Sequence, residues 1–116
     1  MDNFDVSIFK KTYDLYKEFY ICLKNFPKQD KYSLGDKCNL VLVDIMEYLL
    51  TASSLSKLER LSYLEKASIK LNIFRVYVRL AKDIKALDDK KYILIQGLVD
   101  EIGRMLGGWI KMLKAQ

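Results

Sequence analysis

Apolar residues recur at three- and four-residue spacing over four stretches of the chain, which is the pattern of amphipathic helices. The first stretch predicts a helix from about residue 5 to residue 25. Pro27 ends it, because the residue before a proline is disfavoured in the helical region, and a polar loop is predicted over residues 28–32. The expected core face of this first helix, with the tyrosine hydroxyls at its rim, is Phe9, Tyr13, Tyr16, Tyr20 and Leu23.

The second stretch predicts a helix that begins at Ser33. The Ser33 hydroxyl is suited to cap it, and Asp36 three residues later resembles a capping box with a shorter acid. Small and hydroxyl-bearing residues at 51–54 predict the next connection. The expected core face of the second helix is Leu34, Cys38, Val41, Ile45 and Leu49.

The third and fourth helices carry their own start signals. Ser56 and Glu59 form a capping box by spacing and chemistry, and the third helix is expected to reach about Ala86. Asp88 and Asp89 place negative charge at the positive end of the fourth helix. The expected core stripe of the fourth helix is Tyr92, Ile95, Val99, Ile102, Leu106 and either Trp109 or Ile110.

Four such helices, joined by short loops and with no competing strand pattern, predict an all-α fold: an antiparallel up-down-up-down four-helix bundle. The chain has 116 residues, 51% of them hydrophobic and 30% charged, so residues 1–116 are expected to form one folded domain. No uncharged apolar run approaches the roughly 18 residues that a membrane span requires. The acidic N-terminus lacks the order of a signal peptide, and we expect a cytoplasmic protein with no membrane partner.

The third helix is apolar over too wide an arc for the surface of a simple bundle. On a helical wheel, the apolar residues between 71 and 82 cover about 220°, whereas a bundle helix needs somewhat more than ~100°. Soluble monomers rarely leave such a surplus exposed, so we predict that another subunit covers it in a closed homo-oligomer. The alternative is a central third helix that touches all the others. We name the surplus the second apolar face; it consists of Ile73, Val76, Tyr77 and Leu80.

The remaining arc of the third helix is basic. Arg75, Arg79 and Lys82, here named the basic stripe, lie within about 80° of one another on the wheel. No acidic residue shares that arc over these three turns, and the chain has a net charge of +5. The stripe is a candidate for binding phosphates or an acidic protein surface, with Arg104 of the fourth helix as its extension; the alternative is an ordinary solvated face.

Residues 102–111 (IGRMLGGWIK) continue a helical pattern yet carry three glycines within six residues. Each glycine inside a helix costs about 1 kcal/mol relative to alanine, so close approach of another backbone is expected to offset the cost. We predict that Gly103 and Gly107, one turn apart, lie at a contact between subunits. Helix packing within one bundle is the alternative.

Residue types that carry catalysis are scarce in this chain. It has no histidine, which removes the commonest general base and the commonest metal ligand. It has neither a P-loop nor a dinucleotide-binding fingerprint. Cys22 and Cys38 fall on apolar faces and are expected to be buried, reduced thiols. We therefore expect a protein that is not an enzyme and has no catalytic residues, cofactor or metal site.

Segment 102–111 also carries a resemblance to a known family. Together with residues 79–83 (RLAKD), 26–27 (FP) and 34–37 (LGDK), it resembles the accessory variability determinant (Avd) proteins of diversity-generating retroelements, from about residue 13 to residue 111. The resemblance implies a four-helix bundle that assembles into a homopentameric barrel. It also implies a non-catalytic accessory protein that binds the retroelement's reverse transcriptase and nucleic acid, RNA or DNA. Such proteins support error-prone copying of a template RNA into cDNA, which then diversifies a target gene.

Two other interpretations are open at this point. The bundle protein encoded in intervening sequences of 23S rRNA genes shares the architecture, but that family carries a SIPxNIAEG-like segment in helix two. This chain has no proline at the corresponding residues 41–48. A purely structural helical oligomer or adaptor with no nucleic-acid role is the second alternative. Under the Avd interpretation, the residues expected to contact the polymerase or the nucleic acid are Arg75, Arg79, Lys82 and Arg104.

Overall fold

A computed structural model describes residues 4–116, with side chains from Val6 onward. Two short helical turns, Lys28–Asp30 and the π-helical Lys31–Gly35, lead into the second long helix. No strand occurs within residues 4–116. The four long helices are α1 (Phe4–Lys24), α2 (Asp36–Ser54), α3 (Lys57–Asp83) and α4 (Asp89–Lys114).

Each long helix packs along two neighbours. α1 lies against α2 and α4, and α3 lies against the same two helices. Because the connections are short, consecutive helices run antiparallel. The four form an elongated bundle of about 46 × 22 × 19 Å. The prediction of an all-α four-helix bundle is confirmed, and α3 is not the central helix that the alternative required.

The core faces of α2 and α4 match the predictions. Both present aliphatic side chains to the interior at helical spacing, and Leu34 and Tyr92 are the only predicted members among the described residues that stay half-buried. Trp109, rather than the half-buried Ile110, completes the α4 stripe with a fully buried indole. The buried residues of the predicted stripes are Cys38, Val41, Ile45, Leu49, Ile95, Val99, Ile102, Leu106 and Trp109.

The predicted core face of α1 is wrong. Tyr13 and Tyr20 are 49% and 52% exposed, and the other three predicted members are half-buried. Periodicity favours the wrong face because Thr12 interrupts the buried stripe of apolar residues. The amphipathic tyrosines extend the competing, exposed stripe. Inside the helix the Thr12 hydroxyl donates to the Ile8 carbonyl at 2.9 Å, which satisfies it without water. The observed core face of α1 is Ile8, Thr12, Leu15, Phe19 and Cys22.

The connection between α1 and α2 also differs from its prediction. Residues 28–32, expected as a loop, are helical, because Pro27 at ψ 144° sets the chain up to start a helix at Lys28. The Ser33 hydroxyl donates back to the Gln29 carbonyl at 2.7 Å, so the expected capping box at Ser33 does not form. A Cβ at Gly35 would lie 2.5 Å from Leu23 Cδ1 and 3.2 Å from the Asp30 carbonyl oxygen, so a larger residue would have to displace the Leu23 side chain.

Residues 51–54, expected as a connection, belong to the last turn of α2. Their hydroxyls donate to carbonyls of the preceding turn, as Thr51 does to Glu47 at 2.8 Å, which lets the helix continue. Only Leu55 and Ser56 then separate α2 from α3. Ser56 stands at the predicted N-cap position of α3, but its side chain makes no capping hydrogen bond.

Helix α3 ends at Asp83, three residues before the predicted end. The chain turns because Lys85 adopts a left-handed conformation (φ 66°), and the N–H groups of Ala86 and Leu87 donate to the Ala81 carbonyl. The start of α4 is as predicted, since the Asp88 carboxylate accepts from the Lys91 N–H at 2.7 Å.

Candidate nucleic-acid and partner interface

The basic stripe lies along the side of α3 that meets α4. Arg75 forms an ion pair with Asp100 of α4. The Lys82 ammonium lies 5.0 Å from the ring centroid of Tyr92, also on α4. The stripe is therefore anchored at the seam between the two helices at both of its ends.

Acidic partners reduce the charge that the stripe presents. Asp100 neutralises Arg75, and Arg79 Nε lies 3.3 Å from Asp83 Oδ1 one turn further along α3. The hydrogen bond to Asp83 raises the pKa of Arg79, which is charged at any physiological pH in either case. The Arg79 pair is mostly exposed, so it is weak and open to competition by another anion.

Arg104 lies on α4, one turn after Asp100. Residues four apart on a helix are neighbours, with Cβ atoms about 5–6 Å from each other, so Arg104 extends the surface that Arg75 begins. Arg104 is exposed and forms no ion pair with any residue that the structure describes. Arg79 and Arg104 are exposed guanidinium groups, whereas Arg75 and Lys82 are half-buried at the seam.

The two glycines of the predicted subunit contact lie in different surroundings. Gly103 is half-buried against α3: a Cβ there would lie 2.6 Å from Arg75 Nη2 and 3.6 Å from Leu71 Cδ2. The close approach at Gly103 is therefore made within the subunit, and it gives the Arg75 side chain its room. Gly107 is exposed, with nothing within 4 Å of a Cβ.

The second apolar face divides into two half-buried and two exposed residues. Ile73 and Tyr77 pack against the core from its edge, whereas Val76 and Leu80 are 65% and 45% exposed. Ile69, 61% exposed, extends the row by another two turns. This row points away from the core residues of α3, so the surplus of apolar surface deduced from the sequence is present on the folded subunit.

A further surface was missed at the sequence level. With Tyr13 and Tyr20 expected in the core, the lysines that alternate with them on the outside of α1 have no predicted role. The signal in the sequence for this surface is the seven-residue spacing of the lysines, with a tyrosine between each lysine and the next. This surface, named the α1 outer face, consists of Lys10, Tyr13, Lys17, Tyr20 and Lys24, all exposed.

The two cysteines are free and buried, as predicted. Burial raises the pKa of the Cys38 thiol from 9.0 to about 12, and it also raises the pKa of Cys22. Across the described residues, no group of three or more acidic or cysteine side chains is arranged to hold a metal ion. No helix in residues 4–116 combines the length and the apolar character needed to cross a bilayer.

The fold and these surfaces define a small four-helix-bundle protein whose candidate sites are exposed side chains on α1, α3 and α4. A model of the bAvd-like family matches residues 6–113, nearly the whole chain. The protein therefore belongs to the bAvd-like family, which confirms the resemblance seen in the sequence. A comparison with curated proteins gives no match.

Proposed function

We propose that this protein is a non-catalytic accessory subunit of a diversity-generating retroelement. It binds the element's reverse transcriptase and nucleic acid, RNA or DNA, and so supports mutagenic reverse transcription and retrohoming. The observation that carries the proposal is the match to the bAvd-like family over residues 6–113. A bundle that presents exposed guanidinium groups along one seam suits such a binding role.

The contacts are assigned to the surface along the α3–α4 seam. Arg79 and Arg104 have the exposure to reach a phosphate or an acidic side chain of the polymerase. Arg75 and Lys82 lie deeper in the seam, where they form contacts with Asp100 and Tyr92. An incoming anion competes with Asp100 and Asp83 for these cations, so binding should be strongly weakened by salt.

The assembly is proposed to be a homo-oligomer, and the number five comes from the family resemblance. Val76 and Leu80, with Ile73 and Tyr77 at their base, provide the apolar contact between subunits. In a closed ring, each subunit contacts its two neighbours through two different patches of its surface. The α3–α4 seam is then repeated once for every subunit. Repetition multiplies the number of phosphates that one nucleic acid can neutralise.

A structural oligomer or adaptor without a nucleic-acid role is the second candidate. It is favoured by one specific observation: two of the three cations in the basic stripe already have acidic partners within the subunit. An adaptor would use the exposed row on α3 and would leave the seam as ordinary surface.

The test is a pair of binding measurements on Arg79→Glu/Arg104→Glu. Both side chains are exposed, so the variant should fold, whereas a Glu at position 75 would face Asp100. A matched control, Lys37→Glu/Lys57→Glu, makes the same change in net charge at exposed sites near the starts of α2 and α3. Co-purification with the reverse transcriptase encoded beside the gene, and RNA binding over a range of salt, are measured for all three proteins.

The proposal predicts that the arginine variant loses salt-dependent binding and co-purification while the lysine control keeps both. Binding that is equal in wild type and arginine variant contradicts the assigned residues. A wild-type protein that binds neither the polymerase nor RNA contradicts the function itself and favours the adaptor. A neighbouring reverse-transcriptase gene with a variable and template repeat pair would independently support the retroelement role.

A further inference from the structure

The outer side of α1 carries a regular alternation of lysine and tyrosine. Tyr13 and Lys17 are four residues apart, and Tyr20 and Lys24 repeat the same pair seven residues later. In both pairs the ammonium lies over the ring, at 5.2 Å from the Tyr13 centroid and 4.8 Å from the Tyr20 centroid. Lys10 continues the row of lysines by another seven residues toward the N-terminus.

These side chains are exposed, and a base that stacks on either tyrosine takes the place of the lysine ammonium over the ring. About half of each ring is exposed, and the three lysines form no ion pair among the described residues. Asp14 on α1 and Glu47 on α2 are the acids that line the same surface, and neither pairs with these lysines. The lysines are seven residues apart, about 10.5 Å along the helix, so with the rings between them they present a line of positive charge to an anionic ligand.

We propose that the α1 outer face binds single-stranded nucleic acid, with bases stacked on Tyr13 and Tyr20 and phosphates on Lys10, Lys17 and Lys24. Tyr13 and Tyr20 lie about 10.5 Å apart along the helix, which is about three base spacings of a stacked strand. Non-sequence-specific single-strand binding combines these two elements, aromatic platforms and a line of positive charge. The inference rests on the nucleic-acid part of the proposed function but uses a different surface, since α1 lies diagonally across the bundle from α3.

The lysines of the α1 outer face argue against its being a contact between subunits. Tyr13 and Lys17 also form a wall of a shallow groove whose other wall is Val43, Met46 and Leu50 of α2, and such a groove could accept a second chain. Lysine is depleted from the cores of protein interfaces, and burying an unpaired ammonium is costly. The second apolar face of α3, by contrast, has no lysine among its four members.

A single strand fits better than a duplex. A tyrosine ring stacks only on a base whose face is accessible, and a duplex offers its phosphates while its base faces are covered. The α1 outer face should therefore prefer the single strand, whereas a purely electrostatic surface would favour the duplex for its higher charge density.

The test measures binding of a fluorescent single-stranded oligouridylate and of an RNA duplex to Tyr13→Ala/Tyr20→Ala. Each lost stack should weaken oligouridylate binding by about 5- to 150-fold, with a smaller effect on the duplex. Tyr13→Phe/Tyr20→Phe keeps the rings and should bind like the wild type. Lys17→Gln/Lys24→Gln should reduce the slope of log K against log salt by about 1.4, at about 0.7 for each lost phosphate contact. Lys37→Gln/Lys57→Gln is its charge-matched control.

Light scattering and circular dichroism accompany each variant. An alanine variant that is folded and binds the oligouridylate like the wild type overturns the inference and leaves the proposed function standing. An equal loss for the strand and the duplex overturns stacking, and a change in subunit number identifies the face as a subunit contact instead. Wild-type protein that binds no RNA removes the nucleic-acid part of the proposed function and the inference with it. Because the seam is also proposed to bind RNA, Arg79→Glu/Arg104→Glu should weaken oligouridylate binding too, and its effect should add to that of Tyr13→Ala/Tyr20→Ala if the two surfaces are separate.

Discussion

Arg75 of α3 forms an ion pair with Asp100 of α4, and this pair joins the two helices on the side that carries the basic stripe. Gly103 lies three residues after Asp100 on α4 and leaves the space that the Arg75 side chain occupies. The pair is about one-third to one-half exposed, so its contribution to stability is small, of the order of 0–1 kcal/mol. Its larger effect is on charge, because Asp100 cancels a cation at the centre of the candidate interface.

Asp100→Asn should therefore strengthen nucleic-acid binding. Asparagine keeps the shape and an acceptor oxygen but removes the negative charge, which leaves Arg75 free to neutralise about one more phosphate. The measurement is RNA affinity over a range of salt, where the slope should become steeper. Asp36→Asn makes the same charge change at an exposed site at the start of α2. Equal gains in both variants would mean that overall charge, rather than the seam, controls binding.

The exposed row on α3 predicts how assembly depends on sequence. Val76→Ser/Leu80→Ser should lower the mass measured by light scattering toward the 13.6 kDa of a single chain. The folded subunit should lose little stability, because both side chains are exposed on it. Leu40→Ser/Ile93→Ser removes two similarly exposed aliphatic residues from α2 and α4 and should leave the mass unchanged. A wild-type mass of 13.6 kDa, or a double variant that assembles normally, is incompatible with the proposed contact.

Substitution of Gly107 separates two effects of this glycine, one on the stability of α4 and one on the predicted contact between subunits. Gly97 and Gly107 are both exposed in α4 with open space at the Cβ, so alanine at either position should raise the free energy of unfolding by up to about 1 kcal/mol. If Gly107 lies at a subunit contact, Gly107→Ala alone should also weaken assembly. Chemical denaturation at low protein concentration and light scattering at high concentration measure the two effects. Identical assembly of both variants would assign Gly107 to the free surface.

The corrected core face of α1 can be checked by stability. Leu15→Ala should lower the free energy of unfolding by about 2–5 kcal/mol, because it opens a cavity in the core. Tyr13→Ala should cost less than about 1 kcal/mol, since half of the ring is already in water. Urea denaturation with unchanged m-values gives both numbers. The opposite order would restore the tyrosine stripe as the core.

The sequence predicts well where one physical signal dominates. In α2 and α4 the buried stripes are apolar and uninterrupted, so periodicity alone places Ile45 and Ile102 correctly. In α1 two stripes compete, and the outcome depends on a buried Thr12 whose hydroxyl is satisfied only once the helix exists.

The sequence predicts which basic residues share a face of α3. It does not predict which of them are neutralised by an acidic partner. Arg75, Arg79 and Lys82 share a face because three turns of helix put them there. The partner of Arg75 is 25 residues away on another helix, so its neutralisation depends on tertiary packing that no helical wheel contains. Gly103 likewise accommodates a side chain from α3, which depends on how the two helices pack, and its place at a contact between subunits stays a prediction.

The buried thiol of Cys38 predicts a loss of stability at high pH. Its pKa is 9.0 when exposed and about 12 in the folded protein, so the folded state holds a proton that the unfolded state releases between these values. The free energy of unfolding should therefore be unaffected by Cys38 below pH 9 and fall above it, by up to about 1.4 kcal/mol per pH unit. Cys38→Ala removes this contribution and leaves the other ionisable groups in place, so the difference between the two slopes isolates it. Parallel slopes from pH 9 to pH 11 would contradict a buried, protonated Cys38, whatever the absolute stability of the variant.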